Sequence, residues 1–232
     1  MMPTGSNGLD RLLGGGLRTG SITLVDGPAF LGKEALARGA AMANLAADVP
    51  VLWITTRRCA QDIEADLPLL DGATPPSFID TYSAAVGADE PAHNITYVDA
   101  TTDLNGLAAA VREHHARLAG HEGPHLLVVD SVSTLVLHVG AAPAFRFLQV
   151  LLGRSRRAGA TTLLTLDAGM HPESEREMLR HLCDAAIELR RDRERNQVRV
   201  QGRAVGGGEW IDYQVGASGF QVTGSLAAGR IH

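Results

Sequence analysis

Ser21-Ile22-Thr23-Leu24-Val25-Asp26 runs without a break into Gly27-Pro28-Ala29-Phe30-Leu31-Gly32-Lys33-Glu34, and then into an alanine-rich stretch that ends near Ala47. An apolar strand, a glycine-bracketed turn and a helix therefore follow one another directly. A strand that is apolar on both sides needs cover on both faces, and strand–helix alternation supplies it, so this junction commits the chain to an α/β fold. The alternation continues. Residues 51–56, 77–82, 95–98, 125–130 and 161–167 read as strands, and residues 60–70, 104–118, 144–157 and 173–183 carry helical periodicity. Breaks fall at Asp71-Gly72-Ala73-Thr74-Pro75-Pro76 and in a soft loop over 87–94. Residues 185–222 read as antiparallel strands, with a turn near Arg195-Asn196 and a glycine loop at Gly206-Gly207-Gly208. The expected architecture is a mainly parallel central sheet flanked by helices, with antiparallel strands at the C-terminal end, in one domain over residues 1–232.

The chemistry is concentrated in the first turn. Its G-x-x-x-x-G-K spacing is that of a phosphate-binding loop, or P-loop. In such a loop glycines let backbone N–H groups curl around phosphate oxygens, and the lysine reaches the terminal phosphates. Lys33 is the one lysine among 21 lysine and arginine residues. The Ser or Thr that would follow it and hold Mg²⁺ is replaced by Glu34. A carboxylate at that point adds like charge beside a triphosphate. Two unit charges about 4 Å apart cost about 4 kcal/mol under a near-surface effective dielectric, enough to weaken binding several hundredfold if uncompensated.

Upstream lies Thr4-Gly5-Ser6-Asn7-Gly8-Leu9-Asp10-Arg11-Leu12-Leu13-Gly14-Gly15-Gly16-Leu17-Arg18-Thr19-Gly20-Ser21. It resembles the T-G-x-x-G-L-D-x-L-L-G-G-G-L-x-x-G-S lead-in of KaiC-type members of the RecA superfamily, and with the loop the resemblance runs unbroken from Thr4 to Lys33. A RecA-like P-loop fold is what this implies, with a nucleotide site of known parts. Leu126-Leu127-Val128-Val129-Asp130 is similar to the apolar strand whose final Asp polarises Mg²⁺-bound water, and Ser131-Val132-Ser133 completes a D-S-x-S. By the same resemblance the strand at 51–56 should end in two glutamates, one of them the general base. It ends in Arg57-Arg58, and neither can accept a proton at neutral pH. The family's C-terminal K-x-R, which reaches a neighbouring subunit's nucleotide, stands here as Gln201-Gly202-Arg203, so Arg203 is kept as a trans contact and the lysine is lost.

The implied nucleotide site is thus Gly27, Gly32, Lys33, Glu34 and Asp130, with Arg57 and Arg58 where the glutamates would stand. The exchanges remove metal ligation, water activation and trans charge stabilisation together. The expectation is a non-hydrolysing, regulatory or scaffolding relative that binds ATP weakly or not at all, with Mg²⁺ ligation in doubt. No catalytic residue and no metal ligand set is assigned. Two arrangements stay open: Arg57 or Arg58 pairs with Glu34 or Asp130, or the arginines meet a triphosphate directly. A remodelled ATPase, with Glu64 or another carboxylate as base, is the alternative, and a DNA recombination or repair mediator is a third reading.

Composition narrows the partners. A net charge of −5 and the glutamates at 173, 175 and 177, in a segment where a recombinase would meet DNA, argue against nucleic acid. The other such segment, Gly140-Ala141-Ala142-Pro143, reads as a short uncharged loop. A protein partner or a second copy is expected instead. Cys59 and Cys183 form no framework, His114-His115 are adjacent and diverge on a helix, and His121 and His125 read as surface residues. No apolar run is long enough to span a membrane and no export signal is recognisable, so a cytoplasmic location is expected.

Overall fold

Every side chain of the His125–Asp130 strand is buried, and the strand feeds two separate cores. Leu126 and Val128 pack on one side of the sheet, Leu127 and Val129 on the other, because successive strand side chains point to opposite faces. The computed structural model describes residues 1–67, 75–118, 123–203 and 208–224. In chain order the elements are α1 (Asn7–Leu12), β1 (Ile22–Gly27), α2 (Lys33–Leu45), β2 (Val51–Thr55), α3 (Ala60–Ala65), β3 (Ser77–Asp80), α4 (Ser83–Val86) and β4 (Ile95–Tyr97). They continue as α5 (Leu104–Arg117), β5 (His125–Asp130), α6 (Val132–Val139), α7 (Ala141–Arg157), β6 (Ala160–Asp167), α8 (Glu173–Arg180), β7 (Ala185–Asp192), β8 (Arg195–Gly202), β9 (Ile211–Gly216) and β10 (Gly219–Val222).

All ten strands join one sheet in the order β10-β9-β8-β7-β1-β6-β5-β2-β3-β4. From β7 to β4 neighbouring strands run parallel, while β7, β8, β9 and β10 pair antiparallel. This is the mainly parallel sheet with an antiparallel C-terminal end that the alternation of patterns predicts. Helices α1, α2 and α3 cover one face through Leu9, Leu36, Ala40 and Ile63. Helices α5, α6, α7 and α8 cover the other through Leu107, Leu135, Leu148 and Leu179.

The lead-in upstream of β1 is structural. Asp10 accepts from the backbone N–H of Thr4 at 2.9 Å and from its hydroxyl at 2.7 Å, and Ser6 caps α1 by accepting from the Leu9 N–H. Gly5 has φ +78°, and a Cβ there would stand 2.5 Å from the carbonyl oxygen of Gly39 in α2. Only glycine lets these two backbones touch.

Several boundaries differ from the sequence reading. Helix α7 begins at Ala141 instead of 144, so the expected 140–143 loop is the junction where α6 and α7 meet. The short α1 and α4 and the whole of α6 carry too little periodicity to announce themselves. The β7–β8 turn falls at Arg193-Glu194, two residues before the expected position, where Arg193 takes φ 53°. His125 is not at the surface but opens β5 at 2% exposure. His121, Gly206, Gly207, the 71–74 part of the expected break and residues 68–70 of the expected helix lie outside the described residues.

Candidate functional site

Four strand ends lie side by side at one edge of the sheet, because β1, β6, β5 and β2 are neighbours in that order. Registers align their last residues: Gly27 pairs with Asp167 across β1 and β6, and Thr55 with Asp130 across β2 and β5. In an open parallel sheet this carboxyl edge is where ligands bind. The residues brought to it are Lys33 and Glu34 from the start of α2, Asp167 from β6, Asp130 from β5 and Arg57 just past β2.

Lys33 is 7% exposed and turns back into its own loop. Its ammonium donates to the carbonyl oxygens of Gly27 at 2.7 Å and Pro28 at 2.6 Å, and pairs with Asp167 at 2.8 Å. A lysine has three N–H donors, so all are spent within the protein. Asp167 is held in turn, its backbone N–H donating to the Ser133 hydroxyl at 2.8 Å. The second serine of the D-S-x-S thus positions the partner of the lysine, while Ser131 caps α6.

Arg57 lies between two carboxylates. Its Nη2 reaches Glu34 at 2.5 Å and both Asp130 oxygens at 3.3 Å, and Nε donates to Asp130 Oδ1 at 3.4 Å. Thr165 donates its hydroxyl to the same Asp130 oxygen at 2.7 Å. Burial opposes charge on Arg57, but Asp130 and Glu34 outweigh it and hold its pKa above the ordinary arginine value. Burial pushes the Asp130 carboxyl above the usual aspartate value, although Arg57 and Thr165 pull it down. The two directions are compatible: the guanidinium gains from the pair, whereas the fully enclosed carboxylate pays for desolvation that one shared cation offsets only in part.

The loop is braced from the antiparallel end of the sheet. Tyr213 in β9 donates its hydroxyl to the Leu31 carbonyl at 2.6 Å and stacks on Phe220 at 4.3 Å between ring centroids. Burial raises the Tyr213 pKa, which keeps it a donor. Gly32, at φ +87°, caps α2, and a Cβ there would stand 2.5 Å from Val215. Around Lys33, Glu34, Arg57 and Asp167 is a cavity of about 620 Å³, whose lining includes Arg38, Arg191 and Asn196 and the fully exposed Phe30 at the loop apex. That volume suits a small molecule. In this arrangement the groups that would meet Mg²⁺ and a triphosphate are engaged with one another, Glu34 and Asp130 with Arg57 and Asp167 with Lys33.

The sequence candidates are only partly brought together. Gly27, Gly32, Lys33, Glu34, Arg57 and Asp130 converge. Arg58 points away to Asp66 at 3.0 Å, since adjacent side chains after a strand diverge. Arg203 follows β8 at the opposite end of the sheet, where Gly202 pairs with Ala185 near the start of β1 and β7. Glu64 accepts from Asn94 at 2.7 Å and is not among the cavity's lining residues. Asp167, Tyr213 and Arg191 were missed by sequence reasoning. For Asp167 the signal existed, because 161–167 is a second apolar strand ending in Asp.

The sheet order and the aligned strand ends define the class: an α/β protein with the RecA-like fold of KaiC-like proteins. A crystal structure of a KaiC-like protein from the hyperthermophilic archaeon Pyrococcus horikoshii superposes with a TM-score of 0.68, covering 96% of this chain and 98% of that one at 17% identity. The chain belongs to a family of unknown function (DUF7504), whose model matches residues 20–189. A further similarity is to the DNA repair protein RadA of Pseudomonas aeruginosa, 42% identical over 60 residues. That match takes in 26% of this chain and only 13% of the RadA protein. Among the described residues no helix is long and apolar enough to cross a membrane, and no three His, Cys, Asp or Glu side chains converge as a metal site.

Proposed function

We propose that this chain is a non-hydrolysing, pseudo-ATPase relative of KaiC-like proteins that acts in the cytoplasm as a regulatory or scaffolding component through protein contacts, with nucleotide binding weak or lost. One observation carries the reading: Arg57 bridges Glu34 and Asp130 where a metal and an activating base would be needed. A nucleotide would have to break these pairs and free Lys33 from Asp167 before its phosphates met Lys33 or Arg57. Among the described residues the lining carboxylates Glu34 and Asp167 are both paired and Glu64 lies outside the lining, so a remodelled ATPase with Glu64 as base has little support.

The test is phosphate release from Mg²⁺-ATP, joined to titration with a fluorescent ATP analogue with and without Mg²⁺. The expected result is no turnover and weak binding that metal does not strengthen. Turnover that disappears in Lys33→Ala would overturn the proposal, and tight metal-free binding would favour arginines that meet the triphosphate directly. A DNA recombination or repair role draws support from the RadA similarity. It is opposed by α8, whose Glu173, Glu175 and Glu177 stand in the segment where a recombinase would meet DNA. A salt-sensitive DNA mobility shift would revive it.

A further inference from the structure

Sharing no residue with the Lys33 cavity, α5 and α7 lie together on one face of the sheet and leave a groove of about 800 Å³ between them. Each helix gives it one continuous stripe. On α5 the stripe runs from Leu104 to His115, on α7 from Pro143 to Arg154. Both therefore extend three turns, about 16 Å. The floor is apolar, built on Val111 and Phe147, and Val150 remains 52% exposed beside them. An apolar side chain left open on an amphipathic helix signals an unfilled contact more than a surface accident when it lies inside a groove.

The rim has a single sign. Arg112, Arg146 and Arg154 line the groove, and among the described residues no Asp or Glu does. This occurs in a chain whose net charge is −5. Elsewhere on the same two helices arginines find carboxylates, Arg117 with Glu113 at 2.7 Å and Arg156 with Asp184. The three rim arginines have no such partner among the described residues.

We propose that this groove docks an amphipathic helix of a protein partner, with apolar residues at i, i+3, i+4 and i+7 on the floor and acidic residues on its flanks facing the three arginines. Matched stripes of helical length fit the helix-in-groove mode of recognition. Cations along both walls set the charge of the occupant. The proposal names a surface and a chemistry for the protein contacts invoked above, and it does not depend on the state of the nucleotide cavity.

The probe is a fluorescein-labelled helical peptide with leucines at that spacing and glutamates on both flanks, followed by anisotropy. Saturable binding that weakens with salt is expected. Arg112→Glu, Arg146→Glu and Arg154→Glu together should weaken it about tenfold or more, since each exposed pair is worth up to about 1 kcal/mol and reversal adds repulsion. Val150→Glu should do the same through the floor, and both variants sit on exposed positions, so their thermal melts should match the parent. Lys33→Ala should leave peptide binding unchanged. Absence of saturable binding, equal binding of a scrambled peptide of the same composition, or indifference to both groove variants would overturn the proposal. So would saturable binding of oleate without binding of the peptide, which would make the groove a site for apolar anions.

Discussion

Arg57 decides the character of the site at the scale of single residues. A glutamate in its place would add a third carboxylate beside Glu34 and Asp130; the arginine sets one positive charge between the two. Asp130 is 3% exposed, so its charge has almost no access to water. Removing one partner of an enclosed pair costs more than the pair contributes, because the remaining charge is stranded. Arg57→Ala should therefore destabilise the fold by about 2 kcal/mol, less than for a fully buried pair because Glu34 is half exposed. The pH dependence identifies the cause. The folded state already holds Asp130 above the ordinary carboxyl value, and losing Arg57 raises it further. A carboxyl with a raised folded pKa binds protons better folded than unfolded, so its cost falls as pH drops towards that pKa. The deficit of Arg57→Ala in urea unfolding should shrink on acidification from neutral pH; a deficit independent of pH would show that packing, not charge, was lost.

Among elements, α8 is tied by charge to the end of β1, just before the loop. Asp26, the residue before Gly27, has a side chain fully enclosed beneath α8, where Arg176 reaches it at 2.7 Å and Arg180 at 2.5 Å. The arginines have other partners: Arg176 bonds Glu173, and Arg180 bonds Glu177 at 2.5 Å and Glu188 at 3.3 Å. The dependence is unequal. Asp26→Ala leaves two arginines still paired, whereas Arg176→Ala with Arg180→Ala strands a buried carboxylate. The double arginine variant should cost about 3 kcal/mol or more in denaturant unfolding and Asp26→Ala clearly less. Restoring stability by adding Asp26→Ala to the double variant would complete the cycle. Asp80 plays a comparable part for α3 and α4, accepting from Ala60, Tyr82 and Ser83 backbone N–H groups at 2.7 to 2.8 Å. Neither part was legible in the sequence, where Asp26 reads as the end of a strand and Asp80 as a position within the 77–82 strand, because their partners come from other elements.

The stability of the whole molecule should fail on the acid side through a histidine. His114 lies on the core face of α5, and burial first, then His115 and Arg117, lowers its pKa from 6.5 to about 4. It is neutral in the folded state and charged in the acid-unfolded state. The sign follows: its contribution is fully present above pH 6.5 and is lost as pH falls from there to about 4. The full span corresponds to about 3 kcal/mol. Asp130, with its pKa raised by burial, acts in the opposite direction. Unfolding free energy should therefore decline between pH 6.5 and 4, and His114→Gln should flatten that decline. A decline of unchanged slope in the variant would assign acid sensitivity to other groups.

The sequence by itself determined the architecture. Strands apolar on both sides, such as 126–129, need two covered faces, the glycines of the 27–33 loop admit one kind of turn, and strand–helix alternation leaves few topologies. That Glu34 follows Lys33 and that Arg57-Arg58 follow the 51–56 strand was legible too, since residue identity needs no coordinates. Tertiary structure alone decided how the exchanged groups combine. Strand register set Asp130 beside Arg57 and turned Arg58 outward; the neighbouring β6 supplied Asp167 to absorb Lys33; and a tyrosine from a strand far along the chain braced the loop. Periodicity records which face of an element is buried, but not which distant charge it meets. Electrostatic pairing depends on distances that only the packed sheet creates.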